Sequence, residues 1–336
     1  MAAPSALERT VDGLAAIELA AADYTCTFLP ELGMVGSSLR WRGTEHVDFD
    51  VDRYRSGHQS GIPLLHPWAN RLSRSSYEVD GTWVDFDKTP PVRVSADLPM
   101  HGTMTAAEGW DVEVVLADGS RALAQARYRF GAHPDHLRSF PFPHEITVFA
   151  ELSERGLRIT TTINNTGVRG VPVSFGWHPY FTLPGAPRAA LALVLPDREH
   201  LELDFQMLPT GESRHEAAAH LVLGDGLGEL TFDDSYRLAG VGTGEEGQHE
   251  LAIEVDEPDG AIHRLVLSVD DQYPVTQIYA PAGLPVVALE PMTAPVNALV
   301  NGDHRTVPPG ASASATFTVR VDHIEPAPPA DQEVSS

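Results

Sequence analysis

The sequence predicts an all-β fold, with two large antiparallel sheets packed face to face. Three observations carry this. No segment keeps a helical apolar period over a long window. Pro (27) and Gly (28) recur along the 336 residues, which favours many turns over long helices. The clearest pattern has a period of two: Ile146, Val148, Ala150 and Leu152 alternate with Glu145, Thr147, Phe149 and Glu151.

In chain order, residues 1–10 read as a disordered leader and residues 11–324 as a single β-sandwich domain. Residues 24–28 and 34–41 read as paired strands joined around Pro30 and Gly33. Residues 57–70, GHQSGIPLLHPWAN, hold two Gly, two Pro and a Trp, the composition of a loop that covers something. Residues 77–86 read as a hairpin with Asp80-Gly81 as its turn. Residues 98–110 lack periodicity and hold His101 beside Gly102, whose missing Cβ lets backbone or ligand approach the imidazole.

After the 145–152 strand, residues 153–156 turn the chain. Leu157, Ile159, Thr161 and Ile163 mark the returning strand, which Asn164 to Gly167 closes. Val171, Val173 and Phe175 alternate with Pro172 and Ser174, so a strand runs toward residues 174–184, SFGWHPYFTLP, and Pro179 should end it. The adjacent acids Asp233 and Asp234 read first as turn-formers. Residues 251–255 and 262–269 form a further hairpin across Glu257-Pro258-Asp259-Gly260. Residues 286–299, VVALEPMTAPVNAL, read as an apolar strand that ends on Glu290 before Pro291, and residues 325–336 as a disordered tail.

Composition narrows the function. With 42% hydrophobic residues, the chain can bury a sizeable core. Its formal net charge of −24, from 23 basic and 47 acidic residues, opposes binding to nucleic acid or anionic lipid. It also weighs against a highly charged anionic substrate. The single cysteine, Cys26, excludes an internal disulfide and any Cys-based zinc site. There is no P-loop pattern, no HExxH and no acidic loop with calcium-site spacing, so no metal is expected. The opening MAAPSALERT lacks a basic and an apolar region, and no apolar run reaches membrane-spanning length. A cytoplasmic protein is the expectation.

Two titratable residues stand in suggestive settings. His178 lies at an expected strand end among Trp177, Tyr180 and Phe181. Sugars suit such places, since their C–H faces pack on rings while hydroxyls reach polar edges. A structural histidine in a turn is the competing reading. Glu290 follows four apolar residues, and partial desolvation raises a carboxyl pKa and makes it a better base. A carboxylate in a structural ion pair is the alternative.

Four segments together resemble the aldose 1-epimerase (galactose mutarotase) family. They are GIPLLHPWANRL with downstream Tyr77 and Asp80-Gly81, then HGTMTAAEGW, then PFPHEITVFAELSERGLRITTTINNTG running into GWHPYF, and last LEPMTAPVNAL. They keep the family's order and cover most of residues 24–322. The resemblance implies a galactose-mutarotase-like β-supersandwich with a sugar in a cleft on one sheet. It implies interconversion of the α and β anomers of an aldohexose of galactose or glucose type, without a cofactor. It assigns Glu290 as base, His178 as acid and His101 as a stabiliser of developing charge. Arg71 orients substrate hydroxyls beside Asn70, and Trp177 and Tyr180 supply aromatic contacts. The sugar-binding Asp falls on Asp233, three residues before Tyr236, with Asp234 as the alternative. The chain has Asn297 where many relatives carry Asp and His66 where many carry Phe, differences that bear on sugar preference. His66 is read as structural.

The residue types suit the reaction. Opening a hemiacetal ring needs a base for the anomeric hydroxyl and an acid for the ring oxygen, and a carboxylate with an imidazole is the usual pair near neutrality. Two rival functions share the fold. A hexose 6-phosphate 1-epimerase needs an Arg or Lys cluster at the cleft, and beyond Arg71 and Arg74 the sequence offers little local basic density. A non-catalytic sugar-binding module is disfavoured because Glu290, His178, His101 and Arg71 are all present.

Overall fold

Alternation shapes the structure most plainly where the sequence shows it most plainly. In the computed structural model, which describes residues 3–224, 229–240, 242, 244 and 247–326, the strand His144–Ser153 alternates buried and half-buried positions along its whole length. Gly156–Asn165 pairs with it antiparallel, from Ser153 opposite Gly156 to His144 opposite Asn165. The turn requires glycine: Gly156 has φ 99, and a Cβ there would lie 2.1 Å from the Val319 carbonyl oxygen. The 77–86 hairpin forms as Ser76–Val79 and Thr82–Asp85, with Asp80 (φ 48) and Gly81 (φ 73) both left-handed, as a two-residue type I′ turn demands.

Three large antiparallel sheets result, against the two expected. A nine-stranded sheet carries the 144–165 hairpin in its middle, next to the long strand Ser312–Ile324. An eight-stranded sheet, which we term the cleft sheet, runs in the order Pro209–Glu216, Arg198–Leu203, Phe232–Leu238, Val275–Ala280, Val287–Met292, Gly176–Trp177 and Leu64–Leu65, with Tyr180–Phe181 also paired to Val287–Met292. Phe175, Trp177, Tyr273 and Phe317 pack edge to face between these two sheets. The third is a five-stranded meander of residues 5–45. It is pinned to the nine-stranded sheet by Tyr24, whose hydroxyl donates to Val321 O at 3.0 Å and accepts from Val321 N at 2.8 Å.

Several expectations need correction. Part of the expected leader is ordered, because Ser5–Val11 pairs residue for residue with Leu14–Ala21. This strand is polar and mostly exposed, so composition gives no sign of it. Asp233 and Asp234 lie inside the strand Phe232–Leu238, opposite Tyr279 and Ile278, so tertiary pairing overrides their turn preference. The strand entering the histidine segment is broken: Val171–Val173 pairs with Arg305–Val307, while Gly176–Trp177 and Tyr180–Phe181 join the cleft sheet. Between Trp177 and Tyr180 the chain leaves that sheet, and His178 sits in the gap. Glu290 is mid-strand, because Val287–Met292 continues through Pro291. Of the expected tail, residues 327–336 lie outside the described residues. Among the described residues, no helix is long and apolar enough to cross a membrane.

Candidate active site

Register decides which side chains face the cleft. Residues directly opposite on neighbouring strands point to the same face. Glu290 lies opposite Gln277, and Gln277 opposite Ser235. One step along, Tyr180, Ala288, Tyr279 and Asp233 form a parallel row on that face. The rows are tied together where Gln277 Nε2 donates to Asp233 Oδ1 at 2.8 Å. Asp234, one residue on, points to the opposite face, 3.3 Å from His200 Nε2. Tyr236 shares that face and is buried with its ring tilted against His200.

His178 reaches Glu290 across the gap, with Nε2 3.1 Å from Oε1. Its position is set by the 57–70 loop, which docks along the motif: His178 N donates to Pro63 O at 3.0 Å and Tyr180 N to Gly61 O at 2.8 Å. The Tyr180 ring stacks parallel to the imidazole, centroids 4.3 Å apart. Its hydroxyl, 3.1 Å from the same Nε2, therefore sits over the ring face, whereas an N–H points in the ring plane. Glu290 is the better partner for that nitrogen.

His101 meets His178 edge to face at 5.4 Å. It is held by an unusual crossing of two loops. Asn70, His101 and Gly102 are all left-handed, at φ 54, 60 and 68. A Cβ on Gly102 would lie 2.2 Å from the His66 carbonyl oxygen, so glycine there serves the approach of backbone. His101 N donates to Asn70 O at 2.8 Å, and Asn70 N donates to His101 Nδ1 at 3.3 Å. Since Nδ1 accepts, the proton of the neutral ring is on Nε2. The Asn70 Oδ1 accepts from Arg71 Nη1 at 3.1 Å, so Asn70 orients both neighbours. Beneath the crossing, His66 Nε2 donates to His144 Nε2 at 2.7 Å, since His144 Nδ1 donates to Phe142 O at 2.6 Å. That is a structural arrangement.

Burial dominates the electrostatics. It pushes the Glu290 carboxyl well above the usual range, and the Asp233 charge adds to this while Arg71 opposes it. Burial also holds His178 down at about 3 and His101 well below the ordinary imidazole value, the latter reinforced by His178, Arg93 and Arg71. The Glu290–His178 pair thus favours a neutral carboxylic acid beside a neutral imidazole, whereas the sequence led us to expect imidazolium and carboxylate. Both forms hold one proton, and the pair titrates as a unit. Three buried polar atoms here lack a protein partner: Glu290 Oε2, Gln277 Oε1 and His178 Nδ1. A ligand rich in hydroxyls can satisfy all three. Among the described residues, no group of three His, Cys, Asp or Glu side chains could hold a metal ion.

Of the sequence-derived candidates, Glu290, His178, His101, Asn70, Arg71, Asp233 and Tyr180 converge here. Trp177 does not. It is fully buried between the sheets, its Nε1 donating to Thr161 Oγ1 at 3.0 Å, because its neighbour Gly176 takes the cleft-facing position. Sequence reasoning missed Gln277 and Tyr279, whose signal was polar side chains at alternate positions of an otherwise apolar strand. It also missed Arg93. That guanidinium donates to Gly57 O at 2.7 Å, leaves a buried Nη1 without a partner, and influences His101, His178 and Tyr180.

Comparison with known proteins bears on the family and the fold. The family model described as aldose 1-epimerase matches residues 38–320. A galactose mutarotase-like protein from Clostridium acetobutylicum superposes with a TM-score of 0.82 at 18% identity, over 96% of this chain and 99% of that one. Galactose 1-epimerase from Lactobacillus acidophilus gives a TM-score of 0.73 at 15% identity, covering 96% and 99%. An aldose epimerase homologue from C. elegans gives 0.70 at 18% identity, covering 96% and 100%. These likenesses show the fold. None of the curated proteins matches the chain.

Proposed function

The chain belongs to the aldose 1-epimerase family, and on that premise we propose that it interconverts the α and β anomers of an unphosphorylated aldohexose of galactose or glucose type. The observation that carries this reading is the 3.1 Å contact between Glu290 and His178, each with a further buried polar atom that has no protein partner. Sugar hydroxyls at Glu290 Oε2 stabilise the carboxylate, and the shared proton passes to the imidazole. Glu290 then takes the anomeric hydroxyl proton while His178 protonates the ring oxygen. The bond from C1 to the ring oxygen breaks and an aldehyde forms. The acid and base are now neutral. Rotation about the C1–C2 bond presents the other carbonyl face, and the reverse transfers close the ring. His101, neutral with Nε2–H available, donates to the oxygen on which charge develops. Arg71 and Asp233 hold hydroxyls remote from C1.

Saturation-transfer NMR on galactose and glucose, corrected for spontaneous exchange, tests this directly. Enzyme-dependent exchange between anomers is expected, and its absence with both sugars would remove the reading. A second reading, a hexose 6-phosphate 1-epimerase, is favoured by Arg93, a second guanidinium beside the cleft with a free donor. Glucose 6-phosphate in the same assay decides between them, since a phosphate-directed site would exchange it far faster than glucose.

Two substitutions probe binding. Arg71→Lys should raise KM and largely keep kcat, because an ammonium cannot meet two hydroxyls with the planar fork of a guanidinium. A collapse of kcat at unchanged KM would reassign Arg71 to the chemistry. Asp233→Asn should weaken sugar binding by about 2 kcal/mol, the worth of a charge-assisted hydrogen bond. Asp234→Asn, on the opposite face, should leave binding alone. The reverse outcome would move the sugar ligand by one residue.

A further inference from the structure

The arginines of this chain follow a rule with two exceptions. Of those that are buried or half-buried, Arg121, Arg127, Arg188, Arg198, Arg264 and Arg320 each meet a carboxylate. Arg71 and Arg93 meet none among the described residues. Both exceptions stand at the Glu290 site. Arg71 donates to the Asn70 side chain. The Arg93 guanidinium has one hydrogen-bond partner, the Gly57 carbonyl oxygen, which accepts from Nη2 at 2.7 Å, and its Nη1 has none. Taking a guanidinium partly out of water without a counter-charge is costly. Burial pushes Arg93 below the ordinary arginine value, and only the phenols of Tyr54 and Tyr180 oppose this. Burial keeps both phenols neutral as well.

The backbone fixes where this charge sits. Arg93 N donates to Gly102 O at 3.2 Å and Met100 N donates to Arg93 O at 2.9 Å, so Arg93 is bonded to both neighbours of His101. Its charge acts on His101, His178 and Tyr180, whereas the charges that act on Glu290 are those of Asp233 and Arg71. Arg93 therefore lies on the imidazole side of the acid–base pair. In the reaction proposed above, His178 meets the ring oxygen and Glu290 the anomeric hydroxyl on C1. The ring oxygen joins C1 to C5, so the carbon substituent on the imidazole side is C6.

We infer that Arg93 recognises a carboxylate at C6, so that the preferred substrate is a hexuronate, an aldohexose oxidised at C6. The inference rests on the epimerase reading and narrows its substrate class. One unpaired positive charge balances one negative charge. A phosphate ester carries about −1.5 to −2 at pH 7, more than one guanidinium neutralises in a chain of net charge −24. The two Nη groups form a planar fork that matches a planar carboxylate. The guanidinium is not sealed off, since its bond to Gly57 O is exposed.

The test compares anomer exchange of galacturonate and glucuronate with that of galactose, glucose and glucose 6-phosphate, by saturation-transfer NMR corrected for each spontaneous rate. At least one uronate should show kcat/KM about tenfold above its neutral parent, as a charge-assisted hydrogen bond gives. Arg93→Met keeps the stem and removes the charge. It should cancel the ratio of uronate to hexose, which is taken on one preparation and is therefore insensitive to partial unfolding. Arg93→Lys should keep part of that ratio. A uronate no better than its parent on the wild-type protein, or a ratio that survives in Arg93→Met, would overturn the inference and leave the epimerase reading intact. Faster exchange of glucose 6-phosphate than of either uronate would overturn it in favour of a phosphate. No catalysed exchange with any of these sugars would remove the epimerase reading, and this inference with it.

Discussion

Glu290→Gln is expected to lose catalysed anomer exchange by about 10² to 10⁴, the usual worth of a positioned acid or base, while still binding sugar. The amide keeps the carboxyl's shape and a hydrogen-bonding atom toward His178, so the fold is preserved, but it can neither accept nor return a proton. His178→Asn should fall by a similar factor. The double variant should lose much less than the product of the two, because the residues pass one proton between them and act as a unit. The pH profile follows from the same coupling. Activity needs the pair to hold one proton. It should fall on the alkaline side as that proton leaves, and burial of Glu290 moves this limb above the ordinary carboxylate range. Protonation of His178, which burial holds at about 3, lies below the pH at which the fold itself is lost, so the acid limb reports unfolding and not this imidazole. Near wild-type exchange in Glu290→Gln would mean that another group is the base. An alkaline limb that survives in that variant would mean that Glu290 does not set it.

How much of this was legible from sequence depends on what each feature requires. The 144–165 hairpin was legible because one of its faces is dry and the other wet, and composition records that directly. Glu290 was legible because an acid inside an apolar strand is chemically conspicuous. Facing was not legible. A shift of one residue flips a strand side chain to the other face, so Asp233 and Asp234 could not be told apart until the pairing with Tyr279 and Ile278 fixed the register. Trp177 and Tyr180 look alike in sequence, yet the excursion at His178 and Pro179 resets the alternation between them. Gln277 and Arg93 were missed for a related reason. Their importance lies in which atoms they leave unpartnered, and only the assembled sheets reveal that.

Acidification from pH 7 to pH 4 is expected to unfold the protein, well before most of its carboxylates are protonated. Six histidines are almost fully buried: His46, His66, His101, His136, His144 and His178. Burial holds His46, His136 and His144 at about 4, His178 at about 3, and His66 and His101 well below the ordinary value. In the unfolded chain each titrates near 6.5. Below that pH the unfolded state binds more protons than the folded state, so stability falls as pH falls, and flattens only once the folded pKa is passed. At pH 5, a shift from 6.5 to about 4 costs about 2 kcal/mol per group. The three groups held at about 4 alone would then consume about 6 kcal/mol of a total stability typically about 5–15. Hydrogen bonding makes the second proton costlier still, because His144 Nε2 accepts from His66, and His136 is held between the Tyr128 hydroxyl and Thr103 Oγ1, both at 2.8 Å. Glu290 acts in the opposite sense. Its raised pKa stabilises the folded state at low pH and that contribution fades as pH rises; Asp234 and Asp270, also raised by burial, act the same way, but these are three groups against six. Circular dichroism and tryptophan fluorescence should show a cooperative transition between about pH 6 and 4. His136→Gln, which removes one titrating group and keeps a polar partner for Tyr128 and Thr103, should move the midpoint to lower pH. Retention of the native signal below pH 4 would mean that these imidazoles are not held neutral by the fold.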